Sequence, residues 1–135
     1  MRAALQGHYN TEQASLRRLH GIKRDAAGLL ESWSELIRQC EEGYQWDVSE
    51  YQNEMRARDE LEVIASADAL QHFDEHQLFL QILHGIDGRF RALVHASWRF
   101  PLGKSWWRRA VPSKAGVDFA RFCQSAYGFD LDVVT

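Results

Sequence analysis

Little in this sequence would brace or staple it. Two prolines and two cysteines occur in 135 residues. Cys40 and Cys123 stand 83 positions apart, which is no disulfide framework and reads as two reduced, buried thiols in the cytosol. Nothing approaches the run of about 18 apolar residues that a membrane-spanning helix needs. No N-terminal run is apolar enough for a signal peptide, so a soluble, cytoplasmic protein is expected. Also missing are G-x-S-x-G, a phosphate-cradling glycine loop and a dinucleotide fingerprint. Enzyme activity is therefore not expected, and neither is a cofactor. Repeats, low-complexity tracts and interdomain linkers are equally absent.

What is present is helical. Hydrophobic residues make up 45% and charged residues 26% of the chain, a globular balance. The length suits one domain over 1–135, able to bury about 70% of its unfolded surface. The most apolar stretch is Asp74 to Trp98, where Phe79, Ile82, Leu83, Ile86, Phe90, Leu93 and Val94 recur at three- and four-residue spacing. That spacing predicts one long helix against which the others pack, opened by a capping box from Asp74 to Gln77.

Residues 1–9 show no period and are expected to be a loose start. Asn10 or Thr11 can cap a first helix reaching about Glu42, along which Leu19, Ile22, Ala26, Leu29, Trp33, Leu36 and Cys40 alternate at three and four. Gly21 allows a kink and Gly43 a stop. Asp47 and Glu50 form the capping box of a second helix, and a short turn follows through Leu70 and Phe73. Residues 99–112 lack a period and hold Trp106 and Trp107. Ser113 then caps a last helix ending at Gly128. Residues 129–135 alternate like a strand without a visible partner and read as an extended arm. The fold class is all-α, a single-domain bundle of four or five helices with an irregular Trp-rich loop before the last.

Charge is sorted along the chain. Residues 31–88 carry fourteen acidic and three basic side chains, whereas residues 89–121 carry eight basic and one acidic. Such asymmetry points to partners rather than to fold.

Three groups of residues are candidates for function. Tyr44, Trp46 and Tyr51 fall among Asp47, Glu50, Glu54, Asp59 and Glu60, a mixture suited to capturing a basic protein by electrostatic steering and aromatic anchors. Trp106 and Trp107 would add to it. With small size and no catalytic motif, this leads to a protein-binding module, most plausibly an immunity protein or antitoxin that covers a basic toxin domain. The second group is the Arg- and Trp-rich segment 89–121, whose interleaving could bind single-stranded nucleic acid; the acidic balance of the chain argues against it. The third is His72-Phe-Asp-Glu75-His76, with two imidazoles at i and i+4. The string resembles the H-x-x-E-H pattern of inverted zinc peptidases, which implies His72 and His76 as ligands and Glu75 as base. With Leu78 and Phe79 it is also similar to a hemerythrin helix. Both families need further ligands that no residue here supplies by spacing, so His72 and His76 are expected to be surface histidines beside acidic neighbours.

Overall fold

The computed structural model describes residues 2–101 and 103–135. Met1, of the expected loose start, and Leu102, of the Trp-rich stretch, lie outside the described residues. The chain is mostly helical, in the order α1 (Arg2–Leu19), α2 (Ala26–Glu42), α3 (Val48–Glu54), α4 (Arg56–Ala65), α5 (Asp74–Arg91), the single turn α6 (Trp106–Arg109) and α7 (Val117–Tyr127). Among the described residues four short strands join them: β1 (Val94–Arg99), β2 (Ala110–Pro112), β3 (Lys114–Ala115) and β4 (Asp132–Val133). No helix among the described residues is long and apolar enough to cross a membrane.

The helix expected from Asn10 to Glu42 is two helices, and the loose start over residues 2–9 belongs to the first of them. Gly21 divides them at φ 69°. The Ile22 N–H reaches back to the Arg17 carbonyl (2.8 Å) and the Gly21 N–H to the Arg18 carbonyl, the pairing of a Schellman turn. Ile22 is buried by that turn, while Leu19 of the same expected seam faces solvent. Asp25 restarts the chain by accepting the Gly28 N–H at 2.9 Å. From there the three-four spacing holds: Leu29, Trp33, Leu36, Ile37 and Cys40 form one buried stripe on α2.

That stripe, rather than the one on α5, is the centre of the fold. Helix α2 packs against both α4 and α5. On α5 the buried set is His76, Phe79, Leu83, Ile86, Asp87 and Phe90, with Ile82 exposed. The expected Asp74 capping box is absent; Phe73 is the N-cap and makes no side-chain cap bond. The helix also ends at Arg91 instead of running to Trp98. Leu93 and Val94 continue its spacing but lead into β1, which pairs antiparallel with β2, Val94 opposite Pro112 and Arg99 opposite Ala110.

The helix-dominated class expected from the sequence holds, with small strand pairs added to it. The arm expected over 129–135 finds its partner in β3: Lys114 pairs with Asp132 and Ala115 with Val133, in parallel. Tyr44 bridges to the same Ala115. Gly43, at φ 98°, lies against this strand end, and a Cβ there would stand 2.7 Å from the Val134 Cβ. Only glycine fits that corner. The chain just after α2 is thereby locked to the C-terminal segment, and it is the support on which the candidate face is carried.

Candidate functional site

The ten residues expected to form a partner-binding face fall into two sets. Tyr44 and Tyr51 are fully buried. They pack edge-to-face with each other (centroids 5.4 Å) and with Phe119 (5.8 and 5.1 Å), and Phe100 closes the cluster. Burial holds the Tyr51 hydroxyl far above its ordinary pKa. These two tyrosines are core and offer nothing to a partner. Tyr51 is on the inner face of the short helix α3 and Tyr44 lies before it, bridged to Ala115, so their sequence neighbours face outward and only packing distinguishes the inward residues.

Trp107 and Asp59 are likewise committed inside the molecule. The Trp107 indole N–H donates to Asp59 Oδ1 at 2.7 Å. Arg108 clasps the same carboxylate through Nε (2.9 Å) and Nη2 (2.5 Å) and donates from Nη1 to the Gln52 carbonyl. Trp106 is half-buried, with the Arg91 guanidinium 3.7 Å above its ring. The two tryptophans thus fasten α6 to α4 and α5. Part of the charge asymmetry is also satisfied within the chain: Asp59 pairs with Arg108, and Glu41 with Arg89 at 2.8 Å, which holds the Glu41 carboxyl below its usual range.

What remains is a smaller face. Trp46, Asp47, Glu50 and Glu54 line one depression of about 400 Å3, and Trp46 is 59% exposed. Glu60, on α4, is partly buried and does not line it. The support is rigid. The Gly116 N–H donates to the Tyr44 carbonyl (2.7 Å), Gln45 Nε2 to the Val134 carbonyl, and Asp47 caps α3 by accepting the Glu50 N–H at 2.7 Å. The buried Tyr44 hydroxyl donates to Glu54 Oε2 at 2.7 Å and fixes that carboxylate at the rim. Glu54 also borders a groove of about 630 Å3 between α2 and the α3–α4 corner, lined by Glu31 and Glu35 with Arg24 and Arg56.

The other two candidate sites are placed differently from expectation. His72 precedes α5 and so does not share a helix face with His76; it is exposed, with its ring tilted against Phe73 at 4.2 Å. His76 is wholly buried, with Nδ1 2.9 Å from the Tyr9 hydroxyl and Nε2 3.2 Å from the Ala65 carbonyl. Both ring nitrogens are engaged by the protein. Among the described residues no group of three or more His, Cys, Asp and Glu side chains could hold a metal. In segment 89–121, Trp98 is stacked between His95 (3.7 Å) and Phe129 (5.3 Å). Together with the covered faces of Trp106 and Trp107, this leaves its aromatic rings occupied by protein groups rather than presented to bases.

Sequence reading missed a buried cluster. Arg58 and Asp87 are 3% and 6% exposed. Arg58 grips Asp87 with Nε (3.0 Å) and Nη2 (2.9 Å), the Trp33 indole N–H donates to the same Oδ1 at 3.0 Å, and Trp107 covers the guanidinium at 4.2 Å. The signal was there: Asp87 stands on the apolar stripe of α5 between Leu83 and Phe90, where a carboxylate requires a buried partner. Helices α2, α4 and α5 meet at this point, so the cluster sets their register and is structural.

Both cysteines are free and buried. Burial pushes the Cys40 thiol up to about 12 and Cys123 up to about 11, so neither supplies a thiolate at neutral pH. Native protein at pH 8 is expected to show no fast reaction with a thiol reagent, and both groups should react once urea unfolds it. A rapidly titrating thiol in the native state would contradict this burial. No protein-family model, curated protein or solved structure matches this chain.

Proposed function

We propose that this protein is a binding module, built on a cytoplasmic helical bundle, whose acidic face around Trp46 captures a basic protein. The reading we favour is an immunity protein or antitoxin that covers the basic cleft of a toxin domain. One observation carries it: a tryptophan more than half exposed, surrounded by Asp47, Glu50 and Glu54 on a braced corner. An exposed indole is costly in water and has the area, rigidity and cation-binding face of an interface anchor. The three carboxylates would draw in and orient a Lys- or Arg-rich surface.

The test is co-expression with the product of the adjacent open reading frame in a bacterial host. If that product is toxic, the wild-type chain should restore growth. Trp46→Ala and Glu50→Lys, both at exposed positions, should fail to do so while folding normally. Full rescue by both variants would sink the proposal.

A further inference from the structure

Helix α1 is joined to the rest of the molecule by a buried polar relay. Gln13 Nε2 donates to the Tyr9 hydroxyl at 3.1 Å, that hydroxyl lies 2.9 Å from His76 Nδ1, and His76 Nε2 lies 3.2 Å from the Ala65 carbonyl at the end of α4. A carbonyl can only accept, so Nε2 carries the ring hydrogen. In the neutral ring, the form that burial favours, Nδ1 is then the acceptor for the Tyr9 O–H.

The surroundings offer a positive charge on this ring no partner. From α1 the ring faces Tyr9 and Gln13. From the segment before α5 it faces Phe73, 5.3 Å from Tyr9, and Gln71, which lies 3.4 Å from Nε2 and itself donates to the Ala65 and Ala67 carbonyls. From α4 it faces the Ala65 carbonyl, and on α5 itself Phe79, whose ring lies at 5.4 Å. Glu75 acts on the Tyr9 hydroxyl, and no carboxylate among the described residues forms an ion pair with His76. Adding a proton at Nδ1 would force the Tyr9 O–H to turn away from the ring, toward the side from which Gln13 already donates, and would bury a positive charge. In keeping with this, burial holds the His76 pKa below its ordinary value.

The mechanical parts of a release are also present. Gly21 ends α1 in a left-handed turn. Beyond it, α2, α4 and α5 hold one another through Trp33, Arg58 and Asp87, a cluster that uses no residue of α1. Tyr9, Asn10, Gln13 and Arg17 of α1 form one wall of a cleft of about 470 Å3, whose other walls include Leu30, Phe79 and the exposed Leu78 and Ile82.

We propose that α1 is an acid-released clasp: protonation of His76 breaks its bond to Tyr9, α1 swings away at Gly21, and the apolar cleft between α2 and α5 opens. The direction follows from linkage. The imidazole is neutral when α1 is closed and takes a proton more readily when α1 is open. Closure is therefore fully favoured above the ordinary histidine value near 6.5 and weakens as pH falls below it, by at most about tenfold per pH unit for one proton.

Hydrogen exchange of the full-length chain at pH 7.5 and 5.0, corrected for intrinsic rates, tests this. The expected result is a loss of protection at pH 5.0 confined to α1, with α2, α4 and α5 unchanged. His76→Gln, which cannot titrate, should leave α1 less protected than wild type but equally so at both pH values. Should that variant not fold, an NMR titration of the wild-type ring decides the matter, since His76 must titrate below the ordinary histidine value and together with the α1 amides. Unchanged α1 exchange, loss spread evenly over all helices, a pH response preserved in His76→Gln, or an unshifted His76 would each overturn the proposal.

Discussion

Asp87→Ala is expected to destabilise the protein by about 3–5 kcal/mol, the usual cost of removing one partner from a buried ion pair. The Arg58 guanidinium is 3% exposed and gives two of its hydrogen bonds to this carboxylate. Without Asp87 its remaining partner is Glu62, at 3.0 Å on the same helix and open to solvent. The Trp33 indole N–H would lose its acceptor as well. Because domains are stable by only about 5–15 kcal/mol, the loss would leave the variant close to unfolding at 37 °C. Urea melts of wild type and variant measure it directly. Replacing both partners with apolar residues of similar size, Arg58→Met with Asp87→Leu, should recover much of the deficit, because no unpaired charge is then buried. A cost below about 1 kcal/mol for Asp87→Ala would mean that water reaches Arg58, contrary to the packing described.

Trp46→Ala is expected to have the opposite profile, with a large effect on binding and almost none on stability. An exposed side chain away from caps and core contributes within about 0.5 kcal/mol of stability. A central aromatic anchor, by contrast, costs about 2 kcal/mol or more when truncated, roughly a 30-fold weaker complex. Titration calorimetry with the captured partner gives the first number and a thermal melt the second. Glu50→Lys should act mainly through the association rate, and its effect should fade as salt screens the attraction. Glu54 is a poorer probe because it also accepts the buried Tyr44 hydroxyl, so its loss would disturb the core. A Trp46→Ala protein that binds with wild-type affinity would remove the anchor and, with it, the proposed face.

Local sequence rules determined a good deal of this protein unaided. Capping chemistry placed the starts and stops that depend on one residue: Asp47 before α3, Gly43 after α2 and Gly128 after α7. Three-four spacing identified the buried stripe of α2 from Leu29 to Cys40. Those features are legible because their causes lie within one or two helical turns.

Tertiary structure decided what depends on distant chain. Val94 fits a helix as well as a strand, and pairing with Pro112 across the fold makes it the start of a strand. The tail is paired because β3 lies beside it. Tyr44 and Trp46 are two positions apart in the same acidic stretch, yet one is sealed under Phe119 and the other stands in solvent. Composition cannot separate them, since exposure is a property of the surface that arrives from elsewhere. The same holds for Asp59 and Arg108, opposite charges 49 positions apart, whose sorting along the chain suggested a partner although each is partly the other's partner.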